Sequence, residues 1–272
     1  MRILSAAALA VVLSMGAALA EGASALRALD TAFDSRGWEG VGRLELGRTG
    51  FCTGALIEPD VVLTAAHCLF DPDTRERIKD NEIEFLAGWR NGRAAAYRNV
   101  VRSVIHPGYV YLGPEGADYV AEDVALLALN QPIQTNSVKP FRTDRRPLKG
   151  DEVGVVSYAR DRASRPSLQE VCHVLGRPMG SLVLSCDVDF GSSGAPIFVM
   201  SEGEPRIVSV VSAKAEIRGR EVSLGSGLDG SLLQLRTLLE AEEPVRATSG
   251  PRVRRLDIQS RRTSGGATYH RP

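Results

Sequence analysis

Apolar residues recur along this chain in short runs, many of them alternating with polar ones, with Gly, Pro and Asn between many of the runs. Alternation of period two marks half-buried strands, because successive side chains of a pleated strand face opposite ways. The pattern predicts strands over Val41 to Leu46, Thr53 to Ile57, Val61 to Thr64, Ile83 to Ala87, Ala95 to Val104, Val124 to Leu129 and Glu152 to Tyr158. It continues with Gln169 to Val174, Leu182 to Asp187, Ala195 to Met200, Arg206 to Ser212 and Glu221 to Leu224. Many short strands separated by turn residues predict an all-β sandwich or barrels. Only near the end does the period change. Leu228, Leu232, Leu235 and Leu239 fall at helical spacing, which predicts one packed helix over Leu228 to Ala241.

Both termini break the pattern. Arg2, the apolar stretch Ile3 to Leu19 and the small-x-small site Ala18-Leu19-Ala20 before Glu21 read as a secretory signal peptide over residues 1–20. Beyond Glu243, Arg246, Arg252, Arg254, Arg255, Arg261, Arg262 and Arg271 stand among Ser, Thr, Gly and Pro. With little to bury, residues 244–272 read as a disordered basic tail that offers contact with anionic surfaces. Between them, Pro132, Pro140 and Pro147 mark a surface connection. The expected division is a segment or short propeptide over 21–36, a first unit over 37–133, a connection over 134–150, and a second unit with the closing helix over 151–243.

Composition narrows the function. Lys plus Arg and Asp plus Glu both number 33, so the formal net charge is zero and nothing favours an electrostatic nucleic-acid binder. After the N-terminal stretch, no apolar run approaches the roughly 18 residues a membrane-spanning helix needs, so no integral membrane segment is expected once the signal is cleaved.

Three segments carry chemistry. Thr64-Ala65-Ala66-His67-Cys68 sets an imidazole on a small-residue turn, Glu122-Asp123-Val124 sets an acid at the head of an apolar strand, and Gly191-Ser192-Ser193-Gly194 sets a serine between glycines. A serine hydroxyl is a weak nucleophile at neutral pH, so acyl transfer needs an imidazole to take its proton and a carboxylate to orient that imidazole. The order His, Asp, Ser argues against an esterase on a hydrolase sheet, where the serine comes first. His106, in His-Pro-Gly-Tyr, reads as a turn residue, and Asp118 lacks a following apolar strand. Asp71, Asp73, Glu76, Asp80 and Glu82 are interrupted by basic residues, which speaks against a calcium loop. No metal or cofactor is expected.

These segments, with Gly40 to Leu44, Cys52 to Ile57, Ile105 to Tyr109 and Cys186 to Pro196, resemble the chymotrypsin/trypsin-like serine peptidases, in the bacterial branch related to glutamyl endopeptidases. The resemblance covers roughly residues 38 to 226. It implies two packed antiparallel Greek-key β-barrels, followed here by a C-terminal helix, with the site in the cleft between the barrels. It implies His67 as general base, Asp123 as its orienter and Ser193 as nucleophile. The backbone N–H groups of Gly191 and Ser193 would form the oxyanion hole. Protein or peptide is the implied substrate, and the alternative is an inactive homologue that binds peptides or partners.

Four cysteines, Cys52, Cys68, Cys172 and Cys186, in an exported and therefore periplasmic or extracellular chain predict two disulfides, with three connectivities open. The resemblance implies Cys52–Cys68 beside the histidine; Cys172–Cys186 would then brace the approach to Ser193. A zinc site from Cys68, Cys172, His173 and Cys186 is the rival, without a short Cys-x-x-Cys pair to support it.

Two departures from the family pattern stand out. Ser192 occupies the place where many relatives carry an Asp that pairs with a new N-terminal amine, which predicts a site that is not switched on through such a charge pair. Asp187 falls where an acid would attract Lys or Arg, and Ser212 and Lys214 complete the candidate pocket. Yet Cys186 directly precedes Asp187, and Val208 to Lys214 holds no histidine of the kind that reads glutamate. A preference for basic residues is one expectation, with acidic, small and apolar side chains left open.

Overall fold

The structure is a computed structural model that describes residues 23–113, 119–145 and 147–241. The signal segment, Asp118 and the basic tail lie outside the described residues. The strands are β1 (Arg27–Ala28), β2 (Val41–Leu46), β3 (Phe51–Glu58), β4 (Val61–Thr64), β5 (Ile83–Ala87), β6 (Ala96–Ile105), β7 (Ala125–Leu129), β8 (Arg142–Thr143), β9 (Glu152–Ser157), β10 (Ser167–Gly176), β11 (Ser181–Leu184), β12 (Pro196–Ser201), β13 (Glu204–Ile217) and β14 (Arg220–Gly227). One helix follows, α1 (Ser231–Ala241).

Two closed antiparallel barrels result. The first runs β2-β3-β4-β7-β6-β5, and β5 returns to β2 through pairs such as Gly42↔Ala87 and Leu44↔Phe85. The second runs β9-β10-β11-β14-β13-β12, closed by β12 on β9 at Ile197↔Val155. Numbered within each barrel, both orders are first, second, third, sixth, fifth, fourth. Closure removes the exposed edges that a six-stranded open sheet would present.

Alternation explains the cores. Leu44, Leu56, Val62, Phe85 and Leu127 fill the first barrel and are fully buried. Val155, Leu182, Leu184, Ile197 and Val208 fill the second. A third cluster joins the two: Val41, Ala55 and Leu63 meet Tyr158, Phe198 and Val210, with Leu235 and Leu239 of α1 on the same cluster. Here Trp38 stands edge-on to Phe198, ring centroids 5.1 Å apart. Each fully buried side chain of this kind contributes roughly 1.5–3 kcal/mol.

Some elements differ from the sequence expectation. The helix begins at Ser231, because Gly230 takes a left-handed φ of 79° just before it. It packs on β6 and β7 of the first barrel, and Arg236 pairs with Glu58 at 2.9 Å. The strand expected to reach Asp187 ends at Leu184. β13 runs on to Ile217, where its hairpin with β14 turns. Residues 24–28 carry no strand or helix pattern in the sequence, yet β1 pairs with β10 at Arg27↔Leu168, and Ser24 N–H donates to the Val171 carbonyl at 2.7 Å. Leu29 then enters the inter-barrel core with no exposure. β8 adds a short parallel pair to β13 inside the stretch read as connection.

Among the described residues no helix is long and apolar enough to cross a membrane. The cysteines form Cys52–Cys68 and Cys172–Cys186, leaving no thiolate for the zinc set considered above.

Candidate active site

His67 lies on a single 3-10 turn, Ala66–Leu69, that leaves β4. Ala65 and Ala66 are fully buried there, and the disulfide of Cys68 to Cys52 on β3 fixes the turn from its far side. Asp123 ends another such turn, Val120–Glu122, just before β7. Because β4 and β7 pair through Thr64↔Ala125, the two turns emerge side by side.

The carboxylate takes hold of the histidine twice. Asp123 Oδ1 accepts the His67 backbone N–H at 2.8 Å, and Oδ2 lies 2.7 Å from Nδ1. The Ser212 hydroxyl also donates to Oδ2, at 2.5 Å, and Ser226 Oγ donates to the Asp123 carbonyl at 3.0 Å. Asp123 is 3% exposed, while the His67 side chain keeps 25% of its surface open to the cleft. Burial alone lowers the imidazole pKa; the charge and hydrogen bond of Asp123 outweigh it and leave the group above its ordinary value. Nδ1 therefore carries its proton toward the carboxylate, which leaves Nε2 as the acceptor nitrogen of the ring.

Ser193 comes from the second barrel, on the turn before β12. Ser192 N–H donates to the Asp189 carbonyl at 2.8 Å, closing a four-residue turn whose third residue, Gly191, has φ 97°. That position needs a residue at ease with positive φ. Space demands glycine as well: a Cβ at Gly191 would collide with the Phe51 ring, and one at Gly194, φ 75°, with Thr64 Oγ1 and the Thr53 carbonyl. Among the described residues neither the Gly191 nor the Ser193 N–H donates to a protein acceptor. Nε2 and the Ser193 hydroxyl are not hydrogen-bonded to each other; Nε2 lies 3.9 Å from Cys68 Sγ.

His67, Asp123, Gly191 and Ser193 line one cleft of about 520 Å³. Phe51, Phe70, Tyr109, Tyr111, Tyr119 and Phe190 line it too, an aromatic share far above the 6% of the chain as a whole. Tyr111 stacks on Phe70 at 4.7 Å, and the Arg160 guanidinium sits 4.7 Å over the Phe190 ring. Burial pushes the Tyr109 hydroxyl pKa far up, and the nearby Asp123 charge adds to it, so this phenol stays neutral.

The candidate pocket residues separate. Ser212 and Lys214 line the cleft, but the Ser212 hydroxyl is committed to Asp123. Asp187 instead lines a smaller cavity of about 170 Å³, with Lys214 and Glu221. Lys214 pairs with Glu221 at 3.0 Å, and that hydrogen bond raises its pKa. Among the acids of the 71–82 stretch, Asp71 accepts the N–H groups of Asp73 and Thr74, and Asp80 accepts the Ser103 N–H. His106 makes its turn, with Gly108 N–H donating to Nδ1 at 3.2 Å. Ser226, Thr53 and Tyr158, all bonded into the site, had no local sequence signal, because each reaches it from a segment remote along the chain.

Two six-stranded barrels of one strand order, with an acid–imidazole pair and a serine turn on their shared cleft, define the trypsin-like serine protease fold. The chain belongs to the trypsin family, whose model matches residues 34–223. It is similar to a modular serine protease of Drosophila melanogaster, 31% identical over 93 residues, covering 32% of this chain and 14% of that protein. It is also similar to serine protease 23 of Mus musculus, 27% identical over 174 residues, covering 57% of this chain and 44% of that protein. The matches thus span less than half the length of these curated relatives. Among solved structures, a Glu endopeptidase in complex with MPD superposes with a TM-score of 0.65 at 17% identity, covering 82% of this chain and 99% of that one. That likeness is one of fold.

Proposed function

We propose that this protein is an exported serine endopeptidase that hydrolyses peptide bonds through an acyl-enzyme. The observation that carries the reading is the doubly bonded Asp123–His67 pair, facing the same cleft as a serine whose turn leaves two backbone N–H groups undonated.

In the proposed reaction, bound substrate brings the Ser193 hydroxyl to Nε2 by rotation about its Cα–Cβ bond, since catalytic hydrogen bonds tighten in the Michaelis complex. Oγ attacks the carbonyl carbon while its proton passes to Nε2. The carbonyl oxygen becomes an oxyanion held by the Gly191 and Ser193 N–H groups, donors worth roughly 3 kcal/mol each. Collapse breaks the C–N bond, the leaving amine takes the proton from Nε2, and water repeats the cycle on the ester. Asp123 keeps Nδ1 protonated and stabilises the transient imidazolium. Ser212 and Ser226 hold Asp123 in place.

Export is supported by two disulfides, which persist in oxidising compartments. The aromatic walls favour apolar side chains beside the scissile bond, and Asp187 in its separate cavity weakens the case for Lys or Arg at that bond. The test is labelling by a fluorophosphonate, with Ser193→Ala as control, followed by peptide-library cleavage. Labelling confined to the wild type supports the reading; labelling that persists in Ser193→Ala refutes the nucleophile. An inert wild type that still binds peptides marks the binding homologue instead.

A further inference from the structure

The nucleophile turn is held by bonds from outside itself, and none of them is an ion pair. Thr53, on β3 of the first barrel, is fully buried, and every polar atom it has is used in this region. Its N–H donates to the Ser193 carbonyl at 2.9 Å. Its hydroxyl donates to the Gly191 carbonyl at 2.8 Å and accepts the Tyr158 N–H at 3.1 Å. Its own carbonyl accepts the Thr64 hydroxyl at 2.9 Å. On the other side of the turn, Arg160 N–H donates to the Phe190 carbonyl at 2.7 Å. In a planar trans peptide the C=O and N–H point opposite ways. Anchoring the Phe190 oxygen on Arg160 therefore turns the Gly191 N–H away from Arg160, where it has no protein acceptor among the described residues.

Ser192 closes the arrangement. It has no exposure, and its hydroxyl donates to the Tyr158 carbonyl at 3.2 Å and accepts the Asp189 N–H at 3.3 Å. Both partners are neutral backbone groups, so the turn is closed here without a charge pair.

We propose that Thr53 is a positioning residue: by tying the Gly191 carbonyl and Tyr158 to the first barrel, its hydroxyl fixes the Gly191–Ser192 peptide that lies between the two oxyanion donors, and so presets them in the folded chain without a charged N-terminus. The proposal rests on the peptidase reading above and adds to it the device that keeps the turn competent. Thr53→Val is nearly isosteric but leaves the Gly191 C=O and the Tyr158 N–H unpaired, while Thr53→Ser restores both bonds.

The experiment measures the rate of fluorophosphonate labelling at Ser193, with kcat and KM on a cleavable peptide, for wild type, Thr53→Val and Thr53→Ser. Thermal unfolding checks that each is folded. The expected result is labelling and kcat about tenfold slower in Thr53→Val, short of the 10²–10³ for losing a donor outright. KM stays within about twofold, and Thr53→Ser returns to near the wild-type rate. A folded Thr53→Val that labels at the wild-type rate, or a Thr53→Ser as slow as it, overturns the proposal while leaving the peptidase reading intact. A wild type that is not labelled at Ser193 overturns both. Should Thr53→Val fail to fold, the wild type with an acetylated α-amine decides: an unchanged labelling rate supports the preset turn, and a tenfold drop refutes it.

Discussion

Replacing Asp123 by Asn probes the site most directly, because it changes charge and proton placement at nearly constant shape. In the folded chain Oδ1 accepts the His67 N–H at 2.8 Å, and Oδ2 is shared by Nδ1 and the Ser212 hydroxyl. The amide oxygen of Asn keeps the first bond. Its NH₂ then faces Nδ1, which must become an acceptor, so the neutral imidazole carries its proton on Nε2 and cannot take the one from Ser193. The stabilisation of the imidazolium is lost as well: unit charges about 4 Å apart attract by roughly 4 kcal/mol at an effective dielectric of 20. Together with the tautomer change this places the expected loss near 10⁴-fold in kcat, or about 5.5 kcal/mol at 1.36 kcal/mol per decade. The assay is kcat on a peptide substrate, backed by the fluorophosphonate labelling rate. Thermal unfolding should move little, since a buried carboxylate is exchanged for an amide of the same shape. A loss below about a hundredfold in a folded variant would refute the role of Asp123.

Other expectations follow from the same geometry. The His67 pKa is raised, so kcat/KM should rise with pH through a midpoint above the ordinary histidine value, and that midpoint should fall in Asp123→Asn; an unchanged profile contradicts the pairing. By linkage, the stabilisation from protonated His67 is fully present below its unfolded pKa and is lost as pH rises through the higher folded one; denaturant unfolding across that window should show the decline. Gly191→Ala forces a Cβ into the Phe51 ring at φ 97°, and should cut kcat at least a hundredfold with the fold largely kept, measured by kinetics alongside circular dichroism. Removing Cys52 and Cys68 together opens a loop with sequence separation 16 and should cost about 3 kcal/mol in denaturant unfolding, whereas a change under about 1 kcal/mol would count against a clamp on the His67 turn.

Local pattern and long-range structure divide the molecule unevenly. Val41 to Leu46, Val61 to Thr64 and Ile83 to Ala87 were legible as strands to the residue, because each is a short apolar-rich run set off by a Gly or Asp next to it in the chain. The segments around His67, Asp123 and Ser193 were legible because small residues and glycines mark turns that hold a side chain up to a cleft. Nothing comparable marks β1. Two residues carry no periodicity, and Arg27–Ala28 becomes a strand only because the edge of β10 lies beside it.

The sequence by itself determined the β class, the strand periods, the cysteine count and the three chemistry-bearing segments, all properties readable within a few neighbouring residues. Tertiary structure alone decided how six strands close into each barrel, that Asp187 belongs to a cavity apart from the cleft, and that the Ser212 hydroxyl serves Asp123. It also brought Thr53 to the Gly191 carbonyl across 138 positions of chain. A hydrogen bond is set by distance in space, and a residue's own neighbours hold no record of what the opposite barrel brings within 3 Å of it.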